Sequence, residues 1–451
     1  MSGRVLVVTY YFPPLGGVGV QRTLKYITYL PHWGWQPAVL TPRSPAYTVR
    51  DPSLLALLSP DLEVNRTGSL EPGSLPNSVL RLLSRPDASG AIDLGGRPTR
   101  GGLLGRLLWK SMIAWGRVWN MLLFPDAQIG WVRLGARAGS KVYRRQAFDV
   151  VYSTAPPVSA HLIAARVKRS TGRPWVADFR DPWIGNPFAA PLRGPRGWLQ
   201  RRTERSIVQH ADRVILAMDA LRDMFVERYP EMADKFVYIP NGYDKNDLAG
   251  LRPIKGEPGC FTILFAGSLY RPGELDAFLG GIERLVTRRP DLRAKLRCQF
   301  VGRVSSANRH LAEQYTASGR IGDVVSFESF VPRQQALARM GGADCLLQLM
   351  ADEPGAGIFV GGKLIEYMAF DRPILAVMPP GEGRRLVESL PSGRAADVEP
   401  GSVADVVERL LDDPPAPGPT DPTGRYDRVN LAGELAAVLD AVVAEKSAAQ
   451  G

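Results

Sequence analysis

The stretch GAGIFVGGKLIEYMAFDRPILA occupies residues 355–376 and decides how the rest of the chain is interpreted. A glycine-rich loop leads into a short helical pattern, which ends at residues 371–373 (Asp-Arg-Pro) before an apolar strand. Gly361 and Gly362 let the backbone approach a ligand closely, because glycine has no Cβ. Glycine loop, helix and strand in succession predict an α/β domain, in which the loop is a candidate ligand site.

Two charged residues share one face at the start of this helix. Lys363 and Glu366 are three positions apart, and residues at that spacing are neighbours on a helix. The free N–H groups of a helix N-terminus and a lysine suit a diphosphate, while a carboxylate suits paired sugar hydroxyls. The same spacing also fits an ordinary loop-helix-strand unit with a solvated lysine and glutamate.

This segment resembles the donor-sugar motif of the family 4 glycosyltransferases of GT-B fold. The likeness lies in KLIEYMA at residues 363–369, followed by FDRP and a strand. In that family a pair of glutamates eight positions apart spans the segment. Glu366 matches the second, but Ile358 stands where the first belongs. The resemblance implies that Gly362, Lys363 and Glu366 bind a nucleoside diphosphate sugar, and the departure at Ile358 leaves the sugar open.

Composition and charge indicate a soluble globular protein with an anionic partner. The 451 residues carry a net charge of +11, and residues 81–146 hold twelve basic and three acidic residues, a net charge of +9. Three isolated cysteines and four histidines without ligand spacing predict a reduced protein with no metal site. A strand at residues 4–9 leaves no room for a signal peptide, and no apolar run is long enough to span a membrane.

The first strand is followed by a glycine-rich turn and then by a helical pattern. Such a turn between a strand and a helix can hold a phosphate, although most are simply tight turns. Its placement is similar to the donor-facing first loop of the same glycosyltransferases. The resemblance implies a donor contact from Gly16, Gly17 and Gly19.

A basic, tryptophan-rich segment is predicted to form an amphipathic helix over residues 103–124, after a Gly- and Pro-rich surface excursion from about 66 to 103. A helix of this composition can lie among lipid headgroups, but its apolar stripe can equally pack on the domain. We expect contact with a membrane or acceptor, since the charge concentration points to it independently. The residues concerned are Arg106, Trp109, Lys110, Trp115, Arg117 and Trp119.

Another predicted strand ends in DFRDPW at residues 178–183. Open α/β sheets bind ligands at this edge. We expect Asp178 and Asp181 to orient an acceptor hydroxyl and Arg180 to pair with a diphosphate, although an Arg180–Asp181 ion pair that fixes the turn is the alternative. This stretch resembles the acceptor-side motif of the glycosyltransferases. His161, alone on its helix, is expected to be packed and not catalytic.

The second half of the chain repeats the alternation of strands and helices after a Pro- and Gly-rich linker near residue 245. The family resemblance implies that Arg271 contacts the nucleotide diphosphate and that Phe330 and Val331 flank the base. Arg303 follows a predicted strand and is a second candidate for a phosphate contact, against a surface role.

Together these features predict an α/β protein of GT-B fold, with two Rossmann-like, doubly wound domains facing a cleft. The expected domains are residues 1–245 on the acceptor side, 246–425 on the nucleotide-sugar side, and a C-terminal helix, 426–451, that returns to the first domain. The expected function is metal-independent, retaining sugar transfer to a lipid-linked or surface-glycan acceptor at the inner face of the cell membrane. The alternatives are a catalytically silent GT-B partner and a non-hydrolysing nucleotide-sugar epimerase. A nucleic-acid partner is not expected, because only the net charge favours one.

Overall fold

A computed structural model describes residues 3–45, 50–71, 111, 123–189, 191–269, 273, 275–317, 320–329, 331–416 and 418–449. The chain divides into two compact units. The first comprises Met1–Pro240 with Arg428–Gly451, and the second comprises Asn241–Asp427. Each unit contains a parallel sheet with helices between its strands, so the α/β class predicted from the sequence is confirmed.

In the described part of the first unit, seven parallel strands pair in the order β3-β2-β1-β4-β5-β6-β7. They are β1 (Gly3–Val8), β2 (Trp35–Pro42), β3 (Glu63–Thr67), β4 (Val150–Ala155), β5 (Trp175–Phe179), β6 (Arg213–Leu216) and β7 (Phe236–Tyr238). Every residue of β4 and β5 is buried, as in parallel sheets that are covered on both faces. The strand order reverses between β1 and β4, and ligands bind at this position in open α/β sheets.

Five helices connect these strands in the described residues. They are α1 (Val18–Tyr29), α2 (Ile129–Arg145), α3 (Ser159–Thr171), α4 (Gly194–His210) and α5 (Asp219–Arg228). Helix α1 begins after Gly17, whose φ of 90° is a left-handed conformation that glycine adopts readily. The glycine turn predicted from the sequence therefore opens α1 directly after β1.

The second unit repeats the pattern with six described strands, in the order β10-β9-β8-β11-β12-β13. The strands are β8 (Phe261–Ala266), β9 (Leu296–Val301), β10 (Val325–Glu328), β11 (Cys345–Leu349), β12 (Ile374–Val377) and β13 (Gly393–Ala396). The helices are α6 (Asp276–Arg288), α7 (Pro290–Arg293), α8 (Ser306–Ala317), α9 (Arg333–Gly342), α10 (Gly362–Tyr367), α11 (Glu382–Ser389) and α12 (Pro400–Asp412). The order reverses between β8 and β11, which defines a second switch point.

The last helix, α13 (Arg428–Ala448), belongs to the first unit. Leu431, Leu435 and Leu439, spaced at one turn, are fully buried in the same hydrophobic cluster as Val5 of β1 and Val39 of β2. The C-terminal residues therefore complete the core that the first residues of the chain begin.

Two strands were not predicted from the sequence. Strand β3 contains polar residues and reaches into the segment interpreted as a surface excursion. Strand β13 consists of glycine, arginine and two alanines. Both lie at sheet edges, where the apolar pattern that marks a central strand is weak. In the part of the chain that the structure describes, no helix is both long and apolar enough to cross a bilayer.

Candidate functional site

The signature stretch lies at the switch point of the second unit. Gly267 directly follows β8, and a Cβ built on it would lie 2.9 Å from Cε of Lys363. Gly361, with φ of 79°, opens α10, and a Cβ there would lie 3.3 Å from Nε2 of Gln348 in β11. The ends of β8 and β11 therefore meet the start of α10. Glycine at position 267 leaves the space that the lysine side chain occupies.

Lys363 and Glu366 lie on one face of α10, as their spacing predicted, and there they form an ion pair. Lys363 Nζ lies 3.2 Å from Glu366 Oε2, and Arg333 Nη1 donates to Glu366 Oε1 at 2.8 Å. The other arm of Arg333 donates to Asp247 at 3.0 Å. The Lys363 side chain is 37% exposed and that of Glu366 is 21% exposed. One carboxylate thus lies between two cations and still reaches solvent.

The electrostatics keep Glu366 ionised. Burial acts to raise its pKa, but Lys363 and Arg333 outweigh burial and hold the pKa of Glu366 below its usual range. Burial acts to lower the pKa of Arg333, and the carboxylates of Glu366 and Asp247 raise it. An ionised carboxylate accepts hydrogen bonds at both oxygens, which suits a pair of hydroxyl groups.

The neighbouring loop after β9 is packed tightly against the loop after β8. Gly302 has a φ of 135°, and a Cβ on it would lie 1.9 Å from the carbonyl oxygen of Gly267. Arg303 follows and is half-buried beside this edge. Val331 is buried, at 9% exposure, in the second unit's core, so a contact with a base would have to come from its backbone. Arg271 and Phe330 lie outside the described residues.

In the first unit, Asp178 belongs to a buried network. Both of its oxygens accept from Arg22, Oδ1 at 2.9 Å and Oδ2 at 3.0 Å, and Tyr152 donates to Oδ2 at 2.6 Å. Asp178 has no exposed surface, and Arg22 is 1% exposed. Burial acts to raise the pKa of Asp178, and the neighbouring Arg22 lowers it below its usual range. We therefore assign Asp178 to positioning β5, in place of the acceptor contact expected from the sequence.

Arg180 connects the start of α1 to the loop after β4 through hydrogen bonds. Its guanidinium donates to the carbonyl oxygens of Gly19 at 2.6 Å, Ala155 at 3.2 Å and Pro156 at 2.9 Å. These contacts join the start of α1 to the end of β4, at the switch point. The side chain is 8% exposed, so the structure favours a role in shaping the edge. Gly16 is buried, and Gly17 is exposed.

Asp181 is the accessible carboxylate of the DFRDPW segment. Its side chain is exposed, yet desolvation by surrounding protein atoms raises its pKa above the usual range, while Arg180 acts in the opposite direction. His161 is fully buried, with Nδ1 2.8 Å from Ser153 Oγ, and burial lowers its pKa to about 3. A neutral, buried imidazole supports the expectation of a packed histidine.

The membrane-contact residues expected from the sequence lie outside the described residues; they are Arg106, Trp109, Lys110, Trp115, Arg117 and Trp119. The described part of the chain adds a surface that the sequence analysis missed. On α4, Trp198 is 56% exposed and Arg202 lies over its ring at 5.4 Å from the centroid. Leu199, Arg201 and Arg202 are also exposed. We call these four residues, 198, 199, 201 and 202, the α4 face.

Sequence reasoning also missed Arg22 and Arg333. Arg22 lies in the helical pattern after the glycine-rich turn, and a charged residue at an otherwise apolar helix position is a signal for a buried partner. Arg333 follows the segment assigned to the base, but it pairs with a residue 33 positions later. Among the described residues, no three His, Cys, Asp or Glu side chains are grouped as they would be around a metal ion.

Comparison with known proteins identifies a family for the first unit. Residues 16–242 match the family model described as a glycosyl transferase 4-like domain. A curated D-inositol 3-phosphate glycosyltransferase of Paenarthrobacter aurescens is 25% identical over 218 residues, which is 47% of this chain and 51% of that protein. The match thus spans about half the length of that relative.

Solved structures share the fold over nearly the whole chain. The Anabaena protein HepE, solved in complex with UDP and glucose, has a TM-score of 0.58 at 15% identity and covers 97% of this chain and all of its own. A glycosyltransferase of Rickettsia africae has a TM-score of 0.57 at 12% identity, and the match covers 99% of this chain and 94% of that chain. Sucrose-phosphate synthase of Thermosynechococcus elongatus has a TM-score of 0.55 at 13% identity, and the match covers 99% of this chain and 98% of that chain. At these identities the likeness establishes a GT-B fold.

Proposed function

The chain belongs to the glycosyl transferase 4-like family, and we propose that it transfers a sugar from a nucleoside diphosphate sugar, with retention, to a lipid-linked or surface-glycan acceptor. The observation that carries this proposal is the placement of Lys363 along Gly267 with its ammonium group beside Glu366. A cation and an ionised carboxylate, both reaching solvent at a switch point, match the two ends of such a donor: charged phosphates and neutral hydroxyls.

Lys363 would neutralise the diphosphate as it leaves. Charge builds up on the oxygen between the sugar and the diphosphate when that bond breaks, and a fixed cation stabilises the charge without reorganisation. We propose that Lys363 supplies this cation, with Arg271 and Arg303 as further phosphate contacts, and that no bound metal is required. The relative from Anabaena was solved with UDP, which makes UDP the first diphosphate to test.

Glu366 would hold hydroxyl groups of the donor. In the described residues its two oxygens accept from Lys363 and Arg333, so the carboxylate is already ionised and fixed in place. When the diphosphate draws Lys363 away, Oε2 becomes available to a hydroxyl donor. Arg333 continues to hold Oε1, which keeps the carboxylate aligned.

The chemical step exchanges one bond at the anomeric carbon for another. The acceptor oxygen forms a bond to that carbon, the bond from the carbon to the diphosphate breaks, and the hydroxyl proton passes to the departing diphosphate. In the first unit, Asp181 is exposed and can accept a hydrogen bond from the acceptor hydroxyl before transfer. Asp178, Arg22 and Arg180 would hold the segment that carries Asp181.

A membrane-bound acceptor is supported by the exposed surface of α4. Tryptophan and leucine beside arginines suit the headgroup region of an anionic bilayer, where apolar side chains insert and cations meet phosphates. We therefore propose a cytoplasmic protein bound peripherally at the inner face of the membrane, with the α4 face and the basic segment over residues 103–124 as contacts.

Nucleotide binding tests the proposal. Thermal unfolding is followed with UDP, GDP, ADP and TDP on the wild type, Lys363→Ala, Glu366→Ala and the control Lys295→Ala. Lys295 is exposed and directly precedes β9, so it lies at the opposite edge of the sheet. One diphosphate should stabilise the wild type and Lys295→Ala by roughly 2.7 kcal/mol at 100 times its dissociation constant, and the other two variants by less.

The absence of stabilisation by any diphosphate would refute the donor site. That result would favour the catalytically silent partner, which Ile358 in place of the first glutamate of the family pair also suggests. Binding of a nucleotide sugar with conversion of the sugar alone, and no transfer to an added acceptor, would favour the epimerase.

A further inference from the structure

The first unit contains a pocket that the proposed donor site does not use. It has a volume of about 210 Å³ and lies at the carboxyl ends of β2 and β3. Its walls include Phe12, Thr41, Arg43, Arg50, Leu55 and Arg66, and none of the described lining residues is acidic. Three arginines therefore line one small pocket, where their like charges repel one another.

Three separate segments bring the arginines together. Arg43 directly follows β2, and its backbone N–H donates to the carbonyl oxygen of Thr67 at 2.7 Å. Arg66 lies within β3. Arg50 forms an isolated β-bridge with Leu15, which lies in the loop between β1 and α1. The backbone therefore fixes each arginine at the same edge of the sheet.

The guanidinium of Arg66 is held in place, and no carboxylate of the described residues neutralises it. It donates to the carbonyl oxygen of Pro13 at 2.6 Å and lies over the ring of Phe12, 5.7 Å from the centroid. Partial burial lowers the pKa of Arg66, which shows that the protein surroundings disfavour its charge. In the described ranges, no carboxylate pairs with Arg66 or with Arg43. A bound anion would supply the missing counter-charge.

A phosphate group has the chemistry that this pocket recognises. Guanidinium groups bind phosphate oxygens in pairs through their planar N–H donors, and two negative charges offset more than one cation. The side chains of Phe12 and Leu55 form an apolar wall beside the arginines, which suits the carbon skeleton next to the phosphate. The volume accommodates a phosphate and a small part of the molecule that carries it.

We propose that the pocket lined by Arg43, Arg50 and Arg66 binds a phosphate group of the acceptor. The assignment to the acceptor rests on the proposed function, which places the donor diphosphate in the second unit. The phosphate comes either from a soluble phosphorylated sugar or from a lipid headgroup, and the pocket chemistry is the same for both.

Binding of inorganic phosphate and glucose 6-phosphate to the full chain, measured by isothermal titration calorimetry, tests the pocket. The variants are Arg43→Ala, Arg66→Lys and the control Arg169→Ala, which removes the same charge from an exposed site on α3. Arg43 is exposed, so its substitution should leave the fold intact. We expect Arg43→Ala to weaken binding by about tenfold, equivalent to about 1.4 kcal/mol, and Arg169→Ala to leave it unchanged.

Arg66→Lys separates recognition from charge, because lysine keeps the positive charge and loses the planar fork. It should weaken phosphate binding too. Sedimentation with vesicles of phosphatidic acid against phosphatidylglycerol, at equal charge density, distinguishes the sources. Preference for phosphatidic acid that Arg43→Ala abolishes identifies a headgroup, and binding of glucose 6-phosphate alone identifies a soluble acceptor.

Equal phosphate affinities of the wild type and Arg43→Ala, or equal losses in Arg43→Ala and Arg169→Ala, would overturn the inference. The nucleotide panel separates this failure from that of the proposed function. Stabilisation by a nucleotide, without phosphate binding at the pocket, would refute the proposed phosphate site and leave the donor site supported. Phosphate binding that depends on Arg43, without stabilisation by any nucleotide, would refute the proposed donor site and leave the phosphate site supported.

Discussion

Arg22 and Asp178 are 156 positions apart and form a two-point salt bridge with distances of 2.9 and 3.0 Å, almost without contact with solvent. The same guanidinium donates to the carbonyl oxygens of Ile239 at 2.9 Å and Pro240 at 2.7 Å. The side chain of Arg22 in α1 therefore links β5 to residues 239 and 240, which follow β7. Asp178 balances its charge.

The first prediction is that Arg22 and Asp178 stabilise the first unit together, so that the effects of substituting them are not additive. Asp178→Asn leaves the Arg22 guanidinium buried without a counter-charge, and we expect the free energy of unfolding to fall by about 3–5 kcal/mol. Urea unfolding followed by tryptophan fluorescence measures the loss, because all nine tryptophans precede residue 241 and report on the first unit. The double variant Arg22→Met/Asp178→Asn should lose less than the sum of the two single variants. Simple additivity would contradict the coupling.

The second prediction concerns the pH dependence of stability through His161. The unfolded chain takes up a proton near the ordinary pKa of 6.5, whereas the buried imidazole remains neutral down to about 3. Stability is therefore lost as the pH falls through this range, by up to about 1.4 kcal/mol per pH unit. His161→Gln should reduce the slope of unfolding free energy between pH 7 and pH 5, measured with urea and tryptophan fluorescence. An unchanged slope would show that another group causes the loss.

The third prediction is that Arg333 maintains the ionised state of Glu366. Arg333→Met removes one of the two cations that hold the pKa of Glu366 down, so this pKa should rise. Nucleotide affinity of the variant should fall more steeply than that of the wild type between pH 7.5 and pH 5, as titration calorimetry would show. Arg339→Met removes the same charge from the same helix and pairs with Glu328, so it should keep the wild-type profile. Parallel profiles for all three proteins would contradict this role.

The fourth prediction is that alanine substitutions at Gly267 and Gly302, which lie side by side in the fold, have different effects. In Gly267→Ala, the new Cβ meets the flexible end of Lys363, which can move aside, so nucleotide affinity should fall by about tenfold, or about 1.4 kcal/mol, with little loss of stability. In Gly302→Ala, the Cβ meets a backbone carbonyl at a positive φ, which should destabilise the second unit by about 1–3 kcal/mol. Calorimetric binding and thermal unfolding of both variants test the contrast. Equal effects of the two substitutions would contradict it.

The fifth prediction is that the α4 face binds anionic membranes. Arg201→Ser/Arg202→Ser should weaken binding to phosphatidylglycerol vesicles by about 2 kcal/mol, at about 1 kcal/mol for each basic residue. Trp198→Ser should also weaken it, because the exposed ring inserts among headgroups. Sedimentation with vesicles measures both, with Arg169→Ser and neutral vesicles as controls. Unchanged sedimentation of the double variant would exclude the α4 face as a contact.

Local patterns in the sequence predicted much of the fold and part of the site. Glycines, a short helical stretch and Asp-Arg-Pro set the start and end of α10, because φ angles and proline act on neighbouring residues. The shared helix face of Lys363 and Glu366 follows from helical spacing alone. These features depend on contacts within one turn of chain.

Features that depend on distant residues were not predicted. An acceptor contact is expected of Asp178 because a carboxylate at a strand end suits a ligand, but its partner Arg22 comes from an earlier helix. Arg333 reaches Glu366 across a strand and two loops. The pocket of Arg43, Arg50 and Arg66 arises from three segments with no shared motif. Tertiary contacts decide each of these cases.

The second unit is inserted into the first, and this order has a consequence for synthesis on the ribosome. Tyr243 donates its N–H to the carbonyl oxygen of Tyr426 at 2.9 Å, so the inserted unit brings its own ends together. It can acquire its fold while residues 428–451 are still in the exit tunnel. The first unit, although translated earlier, remains without Leu431, Leu435 and Leu439 until these residues leave the tunnel. The half of the protein that is made first is therefore the half that matures last.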